Sequence, residues 1–252
     1  MGVLFAVLFS TGILYGQSID SFFEEGLSLE KQFKVEEALV QFELAIQSDP
    51  NHGEALLHAS RMLSNIAGRM QKNQLAKKKE LLKKARNYAQ KSILQNPNNP
   101  EARLAHIISL GLLSEIATNP HEKVVDARLI HGEAVKILEI ETTFAEAYFV
   151  LGKWQFELSK LNWMELMACR IFFGGFPEEI SMEAALNYFE KATEFNQDSI
   201  LFLYGQASAQ HALGENQKAV YTLNRALALP LAEPDDTLRK DRCSTLLKQI
   251  IQ

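Results

Sequence analysis

Cysteine is almost absent from this chain of 252 residues. Only Cys169 and Cys243 occur, too few for a disulfide framework and wrongly spaced for a zinc site. One bond between them in an oxidising compartment, or two idle thiols, both remain open. Proline is scarce, with 7 residues, and glycine modest, with 13, so no linker-dominated or collagen-like region is expected. Basic excess is missing as well. The net charge of −5 argues against a wholly basic nucleic-acid binder, because phosphate binding needs concentrated Lys and Arg. A Gly-rich phosphate loop, a G-x-S-x-G elbow and an H-E-x-x-H pair are all lacking. The six histidines, His52, His58, His106, His121, His131 and His211, include no pair at a helical i, i+4 metal spacing. Each reads as a surface or packed side chain, so no enzyme, cofactor or metal centre is expected.

What is present is ordinary globular composition, 47% hydrophobic and 23% charged, with ample material for a core. The first charged side chain is Asp20. Before it, Val3 to Phe9 form a short apolar run, followed by Ser10, Thr11, Gly12 and Gly16. This pattern predicts a signal peptide over residues 1–17 and export to the periplasm or cell envelope. The alternative is a retained N-terminal membrane anchor, for which the uncharged stretch is just long enough. Residues 18–252 then form one domain.

Internal repetition sets the expected fold. In residues 19–52, Phe22, Gly26 and Leu29 precede Ala38, Phe42 and Ala45, and Pro50 closes the unit. Small residues let two antiparallel helices approach, large ones fill between them, and Pro50 stops the second helix. The ending recurs at Pro97 after Ala85 and Ser92, and at Thr142 in "KILEIETTFAEA". It recurs again at Gln197 after Ala185, Phe189 and Ala192, and at Pro230 after Ala219, Leu223 and Ala226. Gly214 marks the turn inside the last unit. The pattern is that of tetratricopeptide (TPR) repeats. The expected fold is all-α, a TPR-like α-solenoid of about five helix pairs, with long insertions in the middle units. Residues 235–251, with Leu238, Leu246, Leu247 and Ile250, supply a capping helix over the apolar end of the stack.

The stretch 151–192 is more specific than a plain TPR. Leu151, Gly152 and Trp154, then Leu161 and Trp163, then Phe173, Gly174 and Pro177 lead into Glu183, Ala185, Leu186, Tyr188, Phe189, Lys191 and Ala192. This resembles the TPR-like domain of the regulator of microtubule dynamics family, and the similarity runs over roughly residues 80–250. The resemblance implies the fold. It also implies the properties linked to animal members, namely association with microtubules and with mitochondrial or endoplasmic-reticulum membranes, and for some members lipid binding. An export-type start is not what a cytosolic tubulin regulator needs, so this chain reads as a bacterial relative.

The first helix of each TPR unit lines a concave groove. Counting along the units places Phe23, Leu57, Leu104, Phe149 and Tyr204 there, with Leu27, Arg61, Ile108 and Lys153 one turn on. Such a groove is mostly apolar, with Arg61 and Lys153 as its cations. It is either filled by the chain's own insertions or open to an apolar peptide or acyl chain. The insertion carries its own apolar face, with Trp163, Met167, Phe172 and Phe173. Residues 72–91 hold eight basic side chains, among them Lys77, Lys78, Lys79, Lys83 and Lys84, against Glu80 alone. They form a solvated helix face or a docking face for acidic protein or anionic lipid. The expected function is a protein-interaction scaffold with a protein or peptide partner. Lipid binding or transfer is the alternative, and microtubule association is implied by the resemblance alone.

Overall fold

In the computed structural model, residues 19–167 and 180–252 are described. They form helices α1 (Ile19–Lys31), α2 (Val35–Ser48), α3 (Gly53–Arg69), α4 (Leu75–Gln95), α5 (Pro100–Ile116) and α6 (Pro120–Ile140). After these come α7 (Ala145–Leu158), α8 (Met182–Phe195), α9 (Ile200–Ala212), α10 (Asn216–Ala228) and α11 (Asp236–Ile251). A 3₁₀ turn at Lys72–Gln74 leads into α4, and residues 163–167 are helical. Residues 1–17, Cys169, Phe172 and Phe173 lie outside the described residues.

Helix ends follow local chemistry. The side chains of Asn99, Ser181 and Ser199 accept from the amides of Ala102, Ala184 and Phe202, which tie down free N–H groups at the starts of α5, α8 and α9. Pro100 and Pro120 sit in the first turns of α5 and α6, where no amide is needed. The repeated stops at Pro50, Pro97, Thr142, Gln197 and Pro230 each fall two residues past the end of a helix.

Successive helices pack on each other in pairs, α1 with α2, α3 with α4, α5 with α6, α7 with α8 and α9 with α10. The small positions work as expected. A Cβ on Gly26 would lie 2.5 Å from the Phe42 ring, so α1 and α2 approach over that aromatic. Ser92, at a small position of α4, donates to the Gly53 carbonyl at 2.8 Å and ties the two ends of its pair. The extra length of units two and three goes mainly into both helices of the pair rather than into an insertion between them, with α3 and α5 at 17 residues against 13 in α1 and α9. Helices α4 and α6 have 21 residues each, against 14 in α2 and α8.

Helix α11 closes the stack. Cys243, Leu246, Leu247 and Ile250 pack with Ile200, Leu203 and Leu223, whereas Leu238 points outward and takes no part in this seal. Lys240 donates to the carbonyls of Leu227 and Leu229 and so satisfies the exposed end of α10. Asp236, buried at the start of α11, accepts from the amides of Ala232 and Glu233 and meets Arg239 at 2.9 Å. Burial raises its pKa, but these partners outweigh burial and hold it below the ordinary value. Cys243 is a free thiol, pushed up to about 11 by burial.

The turns inside units one and five use one geometry with different residues. Gly214 has φ of +78°, and Phe33, at the matching place before α2, has φ of +59°. Phe33 is 64% exposed, so its side chain offsets little of the steric cost of a left-handed backbone. Phe33→Gly is therefore expected to stabilise the protein by about 1 kcal/mol. Chemical denaturation of the two proteins checks this, and a less stable variant would refute it.

Candidate functional site

The first helices of neighbouring units pack closely at α3 with α5 and at α7 with α9. Helices α5 and α7 have no comparable packing, and between them a trough of about 700 Å³ opens. Its floor is Ile107, Ile130, Trp154 and Phe202, and its walls carry Leu104, Ile108, Leu112, Phe149 and Val150. The volume lies within the roughly 300–1,000 Å³ usual for ligand pockets. Trp154 is fixed from below. Its indole N–H donates to the Ala127 carbonyl at 2.8 Å, and His131 packs against it at 4.5 Å between ring centres. Phe149 is held by Phe202 at 5.1 Å and by Phe189 at 5.5 Å. The trough is thus built on rigid aromatic supports.

The ends of the trough differ in charge. At the end formed by the last turns of α5 and α7 stand Glu115, Lys153, Glu157 and, from the first turn of α6, Lys123. Lys153 and Glu115 face each other at 3.9 Å, both 59% exposed, a pair of little energetic weight. At the other end, beside Leu201 and Phe202, stands Glu146 in the first turn of α7. Burial is the main cause that raises its pKa above the ordinary carboxylate value; a hydrogen bond to its own backbone opposes this, and the nearby carboxylates of Glu101, Glu233 and Glu141 each add a smaller rise.

Four of the residues expected to line a groove, Leu104, Ile108, Phe149 and Lys153, come together here. The others do not. Leu57 is 2% exposed, closed in by Ala89, Ala102 and Ala105, because the α3–α4 and α3–α5 packing covers it. Phe23 packs on Phe42, His52 and His58, and Leu27 joins the same cluster. Arg61 faces Glu30 at 3.9 Å, and Glu30 holds His58 Nδ1 at 2.6 Å. Tyr204 packs against the terminal cluster under α11. Of the insertion face, Trp163 is 73% exposed and Met167 is also exposed, so neither is buried by the described residues. On α4, Lys77, Lys79, Lys83 and Lys84 are exposed and Lys78 is half-buried, while Lys84 pairs with Glu43 of α2 at 2.6 Å.

Counting along the units missed Glu146, Lys123 and the Trp154 floor. A signal for Glu146 was available. Glu54, Glu101 and Glu146 each precede Ala at the start of a first helix. A second, shallower cavity of about 370 Å³ lies along α9 and α10, lined by Gln206, Gln210, Tyr221 and Arg225 among others. Among the described residues no group of three or more His, Cys, Asp or Glu could hold a metal ion. None of their helices is long and apolar enough to cross a membrane.

Comparison with solved structures agrees with this architecture. A thermophilic TPR protein of Thermus thermophilus aligns over 90% of this chain and 100% of its own, with a TM-score of 0.65 at 14% identity. Pseudomonas aeruginosa pilF aligns over 92% of this chain and 86% of its own, with a TM-score of 0.56 at 14% identity. At such identities the likeness is one of fold. In sequence, the chain is 25% identical over 173 residues to regulator of microtubule dynamics protein 1 of Caenorhabditis elegans, covering 68% of this chain and 75% of that protein. It is 27% identical over 155 residues to the human regulator of microtubule dynamics protein 2, of which it spans 36%. The profile of regulator of microtubule dynamics protein 1-3 matches residues 17–251. With that match covering nearly the whole described structure, the chain belongs to the regulator of microtubule dynamics family and carries its domain as a TPR-like α-solenoid.

Proposed function

We propose that this protein is a non-catalytic interaction scaffold whose trough between α5 and α7 receives an apolar segment of a protein partner. The observation that carries this reading is the trough itself, an apolar concavity on aromatic supports where two first helices stand apart. Its charged groups lie at the two ends, as at the rim of a protein interface. A place in the bacterial cell envelope is part of the proposal, supported by the apolar run of Val3 to Phe9 ahead of the first charged residue.

A second reading is lipid binding or transfer. It is favoured by the volume of about 700 Å³ and by Lys123 and Lys153 at one mouth, where a headgroup anion would sit. The name of the relatives carries a third reading, regulation of microtubules, with nothing in the trough to support it.

The test is a pull-down of tagged full-length protein from its own cells, with proteins and extracted lipids analysed in one eluate. The control is Ile108→Glu, which places a charge on a partly exposed wall residue without disturbing the core. A stoichiometric protein partner that Ile108→Glu reduces at least about tenfold supports the scaffold. Stoichiometric lipid without a protein partner supports the second reading instead.

A further inference from the structure

The trough has length as well as volume. From Glu146 to Glu157 along α7 is eleven residues, about 16 Å of helix rise. An α-helical guest of about three turns matches it, with its apolar stripe on Leu104, Ile108, Phe149 and Val150. The two ends of that path are electrostatically unlike. Cations and carboxylates are mixed at the Lys153 end, with Lys123 and Lys153 against Glu115 and Glu157. At the Glu146 end the side-chain charges acting on that residue are all carboxylates, Glu101, Glu233 and Glu141. Of these, Glu233 is occupied by Arg239 at 2.5 Å, while Glu101 and Glu141 are exposed. The positive N-terminal ends of α5, α7 and α9 offset this field in part, by roughly half a charge each. Glu146 nonetheless remains a half-buried carboxylate facing an apolar trough.

We infer, on the strength of the scaffold reading, that the trough is polar in direction. It takes an amphipathic helical segment of a partner protein that carries a lysine or arginine at the end meeting Glu146. A basic side chain there supplies the counter-charge that Glu146 lacks and relieves the mutual repulsion of the carboxylates. An acidic side chain at the same end adds a like charge in a partly desolvated place. Such a pair sets partner choice and register, which is where charges at interfaces contribute most. The same field disfavours a phosphate or fatty-acid carboxylate at this end, so an anionic lipid would have to enter headgroup last.

Two fluorescein-labelled peptides of fourteen residues test this. They share a leucine stripe at i, i+3, i+4 and i+7 and have blocked termini. One carries a single terminal lysine and the other a glutamate in its place. Fluorescence anisotropy with the full chain is expected to show the lysine peptide binding at least about tenfold tighter. In Glu146→Gln the ratio should fall below about threefold, with the lysine peptide weakened. Ile108→Glu should weaken both peptides alike. Equal affinities for the wild-type protein, a preference for the glutamate peptide, or a ratio unchanged in Glu146→Gln would each overturn the inference while leaving the trough as a binding site. Failure of both peptides to bind would remove the apolar-segment reading and the inference together.

Discussion

Phe189→Ala is expected to cost about 3–5 kcal/mol, the range for a buried aromatic cut to alanine, because the glycine backbones facing its ring cannot move in to fill the space. Phe189 is almost fully buried on α8. Its ring lies against two glycines, Gly152 of α7 and Gly205 of α9, where added Cβ atoms would come within 2.7 Å and 2.8 Å of it. The same cluster holds Ala185, Ala209, Phe149, Phe156, Met182 and Leu186. The glycine backbones and alanine methyls have no rotamers with which to fill the gap, so most of the cavity persists on the α7 and α9 sides. One ring therefore holds three helices together, and two of them, α7 and α9, carry trough residues. In a linear stack the loss stays local at first. Hydrogen exchange in Phe189→Ala should show α7 to α11 opening before α1 to α4, and the melting temperature should fall by roughly 10 °C. A loss under about 1 kcal/mol would show that the stack closes around the gap. Gly152→Ala and Gly205→Ala approach the same contact from the other side and should each destabilise by about 1–3 kcal/mol.

His106→Leu should do the opposite and stabilise the protein by about 1–3 kcal/mol at neutral pH. His106 is buried in α5, and neither ring nitrogen has a hydrogen-bond partner among the described residues. Burial holds its pKa below the ordinary 6.5, Glu133 pulls it back up, and Arg86, Arg103 and Lys136 add to the lowering. The sign of the pH effect follows. Below pH 6.5 the unfolded chain takes up a proton at this position while the folded chain does not, so stability falls as pH drops toward the folded pKa. Above pH 6.5 the residue makes no pH-dependent contribution. The advantage of His106→Leu over the wild type should therefore widen between about pH 7 and pH 5. Thermal melts of both proteins across that range check it. Parallel curves would mean that His106 finds a proton acceptor on charging.

The trough was partly legible in the sequence. Leu104, Ile108, Phe149 and Lys153 were placed by counting, because they share a face of successive first helices and helical periodicity is a local property. Two others from the same count lie elsewhere, Leu57 closed over by its neighbours and Tyr204 against the cluster under α11. Which face a unit leaves open depends on how far the next unit stands away, and that distance is set by packing across units. The insertion after Leu158 read as an apolar face, and its described residues Trp163 and Met167 are exposed. Periodicity states that a face is apolar without stating what meets it.

Local sequence was enough to specify the all-helical class, the five pairs, their stops and the closing helix. Each rests on contacts within a few tens of residues: prolines and caps at helix ends, small residues opposite large ones inside a pair. Packing between units settled that α5 and α7 stand apart while α3–α5 and α7–α9 close. The same packing left Glu146 among carboxylates and His106 without a partner among the described residues. These outcomes depend on side chains distant in the chain meeting, or failing to meet, in space, and no local pattern encodes that distance.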